Sequence, residues 1–157
     1  MSNVPTHWYN IAVDLPKPLP PPMDPYDGES RIALLNRIMP SELLHQEFTS
    51  LMHVPIPDEV REIYVRLGRP TPLRRARGLE RIIGNGVKVY YKFEGALPGG
   101  SHKLNTAVPQ VYYALKDGAK EVATETGAGQ WGLAVSIAAA LIGIRAVVFM
   151  TKSSYLS

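Results

Sequence analysis

Two rhythms of apolar residues divide the chain. Up to about residue 83, apolar side chains recur at three- and four-residue spacing between proline-rich breaks. That is the period of an amphipathic helix. Ser41 ahead of such a run predicts a helix over 42–52 with Ser41 as N-cap. A second helix is predicted over 57–67, with Pro57 in its first turn and Gly68 as its stop. Pro70 and Pro72 interrupt the pattern, and a third helix is predicted over 74–83, closed by Gly84 and Gly86. After Gly86, short apolar runs alternate with longer helical ones. Strands are predicted over 87–93, 121–124 and 146–150, and helices over 105–115 and 130–141. The last strand is almost continuously apolar, as parallel strands buried on both faces are. The helix over 130–141 is apolar nearly all round, so it expects neighbours on every side. The alternation predicts an α/β fold, a parallel-sheet layer with right-handed helical crossovers.

Proline density marks the other end. Pro16, Pro18, Pro20, Pro21, Pro22 and Pro25 rule out helix interior over 8–28 and favour an extended arm. Trp8, Tyr9, Ile11, Leu15 and Leu19 offer it apolar anchors, so docking is expected over a disordered tail. The organisation expected is an N-terminal arm with helices over 1–68 and an α/β region over 69–157.

Composition narrows the chemistry. The 157 residues include no cysteine, which removes disulfides, thiolate metal sites and cysteine nucleophiles. No apolar run reaches the length of a membrane span, and the first ten residues lack the pattern of a signal peptide. A net charge of +3 is too small to argue for nucleic acid. The basic stretch over 66–81 holds no aromatic residue to stack a base, so it reads as a solvated helix face. No metal site is expected.

Two loops carry the candidate chemistry, because parallel sheets bind ligands at the carboxyl ends of their strands. The first follows the strand over 87–93 and reads EGALPGGSHKLNT over 94–106. Gly95 and Gly100 have P-loop spacing, but the lysine falls two places late for a triphosphate site. Lys103 stands where a helix begins. Helix dipole and burial there would lower its pKa and make it a nucleophile toward an aldehyde. It could equally be an exposed lysine of a first helical turn. The second loop reads ETGAGQWG over 125–132. Gly127, Gly129 and Gly132 match a dinucleotide pattern, yet no Asp or Glu follows to bind a ribose. Its amides would still suit a carboxylate. Glu125 is either an acid–base residue or a structural carboxylate.

Together the loops resemble a known family. The segment GSHKLNT over 100–106 resembles the cofactor-lysine segment of the tryptophan synthase beta chain, and ETGAGQ over 125–130 resembles its substrate-carboxylate loop. Trp131, the arm WYN with its following prolines, and GRPTPL over 68–73 resemble the second, beta-like subtype. The resemblance implies a cytoplasmic fold-type-II enzyme dependent on pyridoxal 5'-phosphate, a lyase of tryptophan biosynthesis that joins L-serine and indole to give L-tryptophan and water. It implies that Lys103 bonds the cofactor and moves protons, and that Glu125 is the catalytic carboxylate. It places His102 against the cofactor phosphate and Asn105 near the cofactor ring. It assigns Thr126, Gly127, Ala128, Gly129 and Gln130 to the substrate carboxylate, Gln130 also touching the cofactor. A homodimer and an alpha chain are the protein partners it implies for the full-length form.

The family's glycine-rich phosphate loop has no counterpart in these residues. The resemblance therefore also implies a fragment, inactive by itself and prone to self-association. An inactive remnant or oligomerisation piece, and a related serine or threonine dehydratase, are the alternatives.

Overall fold

A computed structural model describes residues 3–20, 23–26 and 28–156. Pro21 and Pro22 of the arm lie outside the described residues.

The arm docks through fewer anchors than its apolar residues suggest. Strand β1 (His7–Tyr9) pairs antiparallel with β2 (His53–Pro55), placing Trp8 opposite Val54. The Asn10 amide donates to the carbonyls of Thr49 and Leu51 at 3.0 and 3.2 Å. Trp8 packs on the core, whereas Ile11 and Leu19 remain 71% and 69% exposed. One indole, one strand register and the Asn10 amide thus hold the start of the arm, and Ile11 and Leu19 do not anchor it.

Helix α1 (Arg31–Ile38), capped by the Ser30 hydroxyl, was not expected. Helix α2 (Ser41–Glu47) is shorter than predicted, and Ser41 does not cap it. The Ser41 N–H and hydroxyl instead donate to the Asp117 carboxylate at 2.6 and 2.9 Å. A remote acid therefore satisfies this helix end. Helix α3 (Asp58–Arg66) matches the prediction and buries Val60, Ile63 and Tyr64, which share one face. Gly68 follows at φ +89, the left-handed turn that only glycine adopts without cost.

The stretch predicted as one helix over 74–83 is divided. Strand β3 (Leu73–Arg75) comes first, then helix α4 (Arg77–Ile83). The partner of β3 is β4 (Tyr90–Lys92), antiparallel, with Arg74 opposite Tyr91. Glu80 ties the helix to this ribbon, accepting from Arg75 Nε at 2.8 Å and from the Val89 N–H at 2.9 Å. These contacts hold its carboxyl below the usual range. The strand expected over 87–93 is thus short and lies outside the parallel layer.

The remaining elements follow the predicted alternation. Helix α5 (Leu104–Lys116), strand β5 (Glu121–Glu125), helix α6 (Gln130–Ile142) and strand β6 (Arg145–Phe149) form the α/β layer. β5 and β6 are parallel, from Glu121 opposite Arg145 to Glu125 opposite Phe149. A short helix α7 (Lys152–Tyr155) follows. One apolar cluster joins Val4 and Val60 to Val108, Val111, Val135 and Ala138. Helix α6 buries Gly132, Ala134, Val135, Ala138 and Ala139, while Leu133 and Phe149 stay 47% and 62% exposed. Two strands and one helix cannot cover every face of so apolar a segment.

Candidate active site

Helices α5 and α6 open at the same end of the layer. α5 packs along α6, and Gly99, just ahead of α5, lies against Leu133 in the first turn of α6. α6 leaves the end of β5 and returns to the start of β6, which lies parallel to β5. Both helix N-termini therefore sit at the carboxyl ends of the two strands, where parallel sheets bind ligands.

The lysine loop reaches this end through two 3-10 turns, Glu94–Ala96 and Pro98–Gly100. Leu97 and Leu104 anchor it in the core. Gly99 has φ +77, and a Cβ there would lie 3.3 Å from Leu133 Cδ2. The loop thus lies directly on the first turns of α6. Lys103 is the N-cap of α5, half-buried, with its N–H donating to Ser101 Oγ at 3.3 Å. His102 beside it is exposed. Among the described residues no hydrogen bond or salt bridge engages the side chains of Lys103 and His102.

The second loop is held by its first residues and open in its middle. Thr126 is buried, donates its N–H to the Phe149 carbonyl at 2.9 Å and accepts the Gly132 N–H on Oγ1 at 3.1 Å. Its hydroxyl therefore braces α6. Gly129 adopts φ +92 as the N-cap of that helix. Gly127, Ala128 and Gln130 are exposed. The N–H groups from Gly127 to Trp131 find no acceptor among the described residues. Five consecutive free amides at a helix N-terminus suit an anion. Glu125 ends β5 beside them, exposed and without an ion-pair partner among the described residues. Sequence reasoning missed the brace behind this loop, in which Trp131 Nε1 donates to Thr124 Oγ1 at 2.7 Å. An indole following a glycine loop gave no sign of which hydroxyl it would meet.

Asn105 is set apart from this group. Two residues along a helix is about 200° around its axis from Lys103. Asn105 lines a cavity of about 750 Å³ whose wall also includes Trp8, Tyr64, Arg69, Lys92 and Glu94. Neither Lys103 nor Glu125 faces that cavity. The Oδ1 of Asn105 is buried with no hydrogen-bond partner.

Residues 65–155 match the family model described as pyridoxal-phosphate dependent enzyme. The chain belongs to this family, whose members depend on pyridoxal phosphate. Within it, the chain is 70% identical over 148 residues to the tryptophan synthase beta chain of Pyrobaculum islandicum, covering 94% of this chain and 35% of the relative. It is 60% identical to tryptophan synthase beta chain 1 of Aeropyrum pernix, over 100% of this chain and 38% of the relative. It is 53% identical to the tryptophan synthase beta chain of Pyrococcus horikoshii, over 97% and 33%. The chain thus spans about a third of the length of the curated relatives it matches.

The residues present fit the family's cofactor on their own chemistry. Lys103 offers a primary amine with no competing partner among the described residues. The amides from Gly127 to Trp131 offer a cradle for the anionic end of an amino acid. Among the described residues no group of side chains could hold a metal ion. No described helix is long and apolar enough to cross a membrane.

Proposed function

We propose that this chain carries the lysine and the substrate-carboxylate loop of a cytoplasmic enzyme that joins L-serine to indole, giving L-tryptophan and water. One observation carries the reading: the lysine loop and the run of free amides open at the same end of the α/β layer. The names of the relatives support the choice of reaction. In the full-length form the reading implies a second copy and an alpha chain as partners.

When bound, pyridoxal phosphate supplies an electron sink for the substrate's α-carbon. The chain's own residues supply position and protons. Lys103 would hold the group through its amine and carry the proton taken from the serine α-carbon. His102, exposed at the start of α5, would lie beside the phosphate, and Gln130 would serve the ring. The amides of Gly127, Ala128, Gly129 and Gln130 would orient the serine carboxylate, with Thr126 stiffening the turn behind them. Glu125, at the end of β5, would protonate the departing serine hydroxyl and take up the proton released by indole.

Borohydride trapping of added pyridoxal phosphate tests this reading. The expected product is a reduced adduct on Lys103 in preference to Lys17, Lys88, Lys92 and Lys120, lost in Lys103→Ala. Labelling spread evenly over the lysines defeats it. For catalysis, serine with indole should yield tryptophan in a full-length form and no pyruvate as the main product, which a dehydratase would give.

A further inference from the structure

The lysine loop is tied at both ends to one short stretch of chain, residues 64–72. At the far end, Asn105 lies four residues before Pro109 in α5. Proline has no N–H, so the Asn105 carbonyl lacks its helical donor. The hydroxyl of buried Tyr64, on α3, takes that place and donates to the Asn105 carbonyl at 2.5 Å. At the near end, Glu94 is gripped by two residues that follow α3. Arg69 Nη2 donates to one of its carboxylate oxygens at 3.1 Å, and buried Thr71 donates its hydroxyl to the other at 2.6 Å. Around these anchors the Lys92 ammonium donates to the Thr71 carbonyl, and the Phe93 N–H donates to the Pro72 carbonyl at 2.9 Å. Arg69 closes the set. Its N–H donates to the Tyr64 carbonyl at 3.0 Å, and its guanidinium lies over the Tyr64 ring, 5.7 Å from the centroid.

We infer that Tyr64, Arg69 and Glu94 are positioning residues, a clamp that sets the first turn of α5 and hence the place of the Lys103 amine. The inference rests on the reading of Lys103 as the cofactor lysine. The need for a clamp is local. Residues 95–104 place only Leu97 and Leu104 in the core cluster, and contain glycines at φ +77 and +65. Such a segment has many accessible conformations, and a lysine must be held closely to meet a fixed carbonyl carbon. Polar anchors nine and two residues from Lys103 remove that freedom from both directions. None of the three residues touches the reacting atoms, so their effect passes through the backbone.

Tyr64→Phe removes only the hydroxyl, and Glu94→Gln removes the charge while keeping an acceptor. Hydrogen exchange of the 157-residue chain should show the amides over 94–108 exchanging at least about tenfold faster in each variant, with those of β5 and β6 unchanged. Borohydride trapping of pyridoxal phosphate on Lys103 should slow several-fold in both. Val135→Ala, a core truncation in α6, provides the comparison and should speed exchange in β5 and β6 as well, without the selective pattern. Unchanged exchange over 94–108, or the same pattern in Val135→Ala, overturns the clamp. Failure of the unaltered chain to label Lys103 counts against the proposed function instead, and the exchange data then decide the clamp alone.

Discussion

Gly132 lies so close to Val148 that no side chain fits between them. A Cβ built on Gly132 would sit 2.5 Å from Val148 Cγ1 and 3.0 Å from Thr126 Cγ2. This contact seats the first turn of α6 on β6 and holds the free amides of the second loop over the strand ends.

Gly132→Ala should therefore destabilise the chain by roughly 1–3 kcal/mol, the usual cost of overpacking a filled site. Val148→Ala in the same chain should recover much of the loss. Gly78 in α4 offers the contrast, since its nearest atom would be the flexible end of Arg81 at 3.9 Å. Gly78→Ala should be neutral or stabilise by up to about 1 kcal/mol through helix propensity. Chemical denaturation midpoints of the variants check both signs.

The start of α2 depends on a residue far along the chain. Asp117 accepts both the N–H and the hydroxyl of Ser41. Asp117→Ala should cost about 1 kcal/mol, as loss of a helix cap does. Ser41→Ala should cost less, because the backbone N–H keeps its acceptor. Equal costs in thermal unfolding would show that the hydroxyl carries the contact.

Alkaline pH should weaken the fold through Tyr64. Burial pushes this phenol up to about 12, with the Arg69 guanidinium pulling partly back. The unfolded chain ionises near the ordinary value of about 10 and the folded protein later. The resulting stability is fully present below about pH 10 and is lost as pH rises toward 12. The loss should reach roughly 2–3 kcal/mol, and Tyr64→Phe should lack that part of the decline. Urea titrations at several alkaline pH values, comparing the two chains, measure it.

Glu125→Gln should separate chemistry from folding. The carboxylate is exposed and has no ion-pair partner among the described residues, so stability should change by less than about 0.5 kcal/mol. Trapping of pyridoxal phosphate on Lys103 should persist, while turnover of serine and indole by a full-length form should fall at least about a hundredfold. A large loss of stability would show that Glu125 is a structural group.

Local chemistry alone determined much of this protein. The bounds of α3, α5, β5, α6 and β6 lie within a few residues of those predicted, because each has a consistent hydrophobic period and its own stop signals. The two loops were legible for the same reason, as glycine and hydroxyl residues cluster where backbone must turn and approach a ligand. Tertiary structure decided what depends on distant partners. Arg74 and Arg75 read as the start of a helix but pair with Tyr91 and Tyr90, since strand pairing outweighs a weak local preference. Ser41 read as a cap but yields that role to Asp117, 76 positions away. Asn105 lines a cavity with Tyr64 and Arg69, a wall that only the packing of α3 against α5 builds. The donor that Pro109 withholds from its carbonyl comes from Tyr64, a hydroxyl that only packing of α3 on α5 brings within reach.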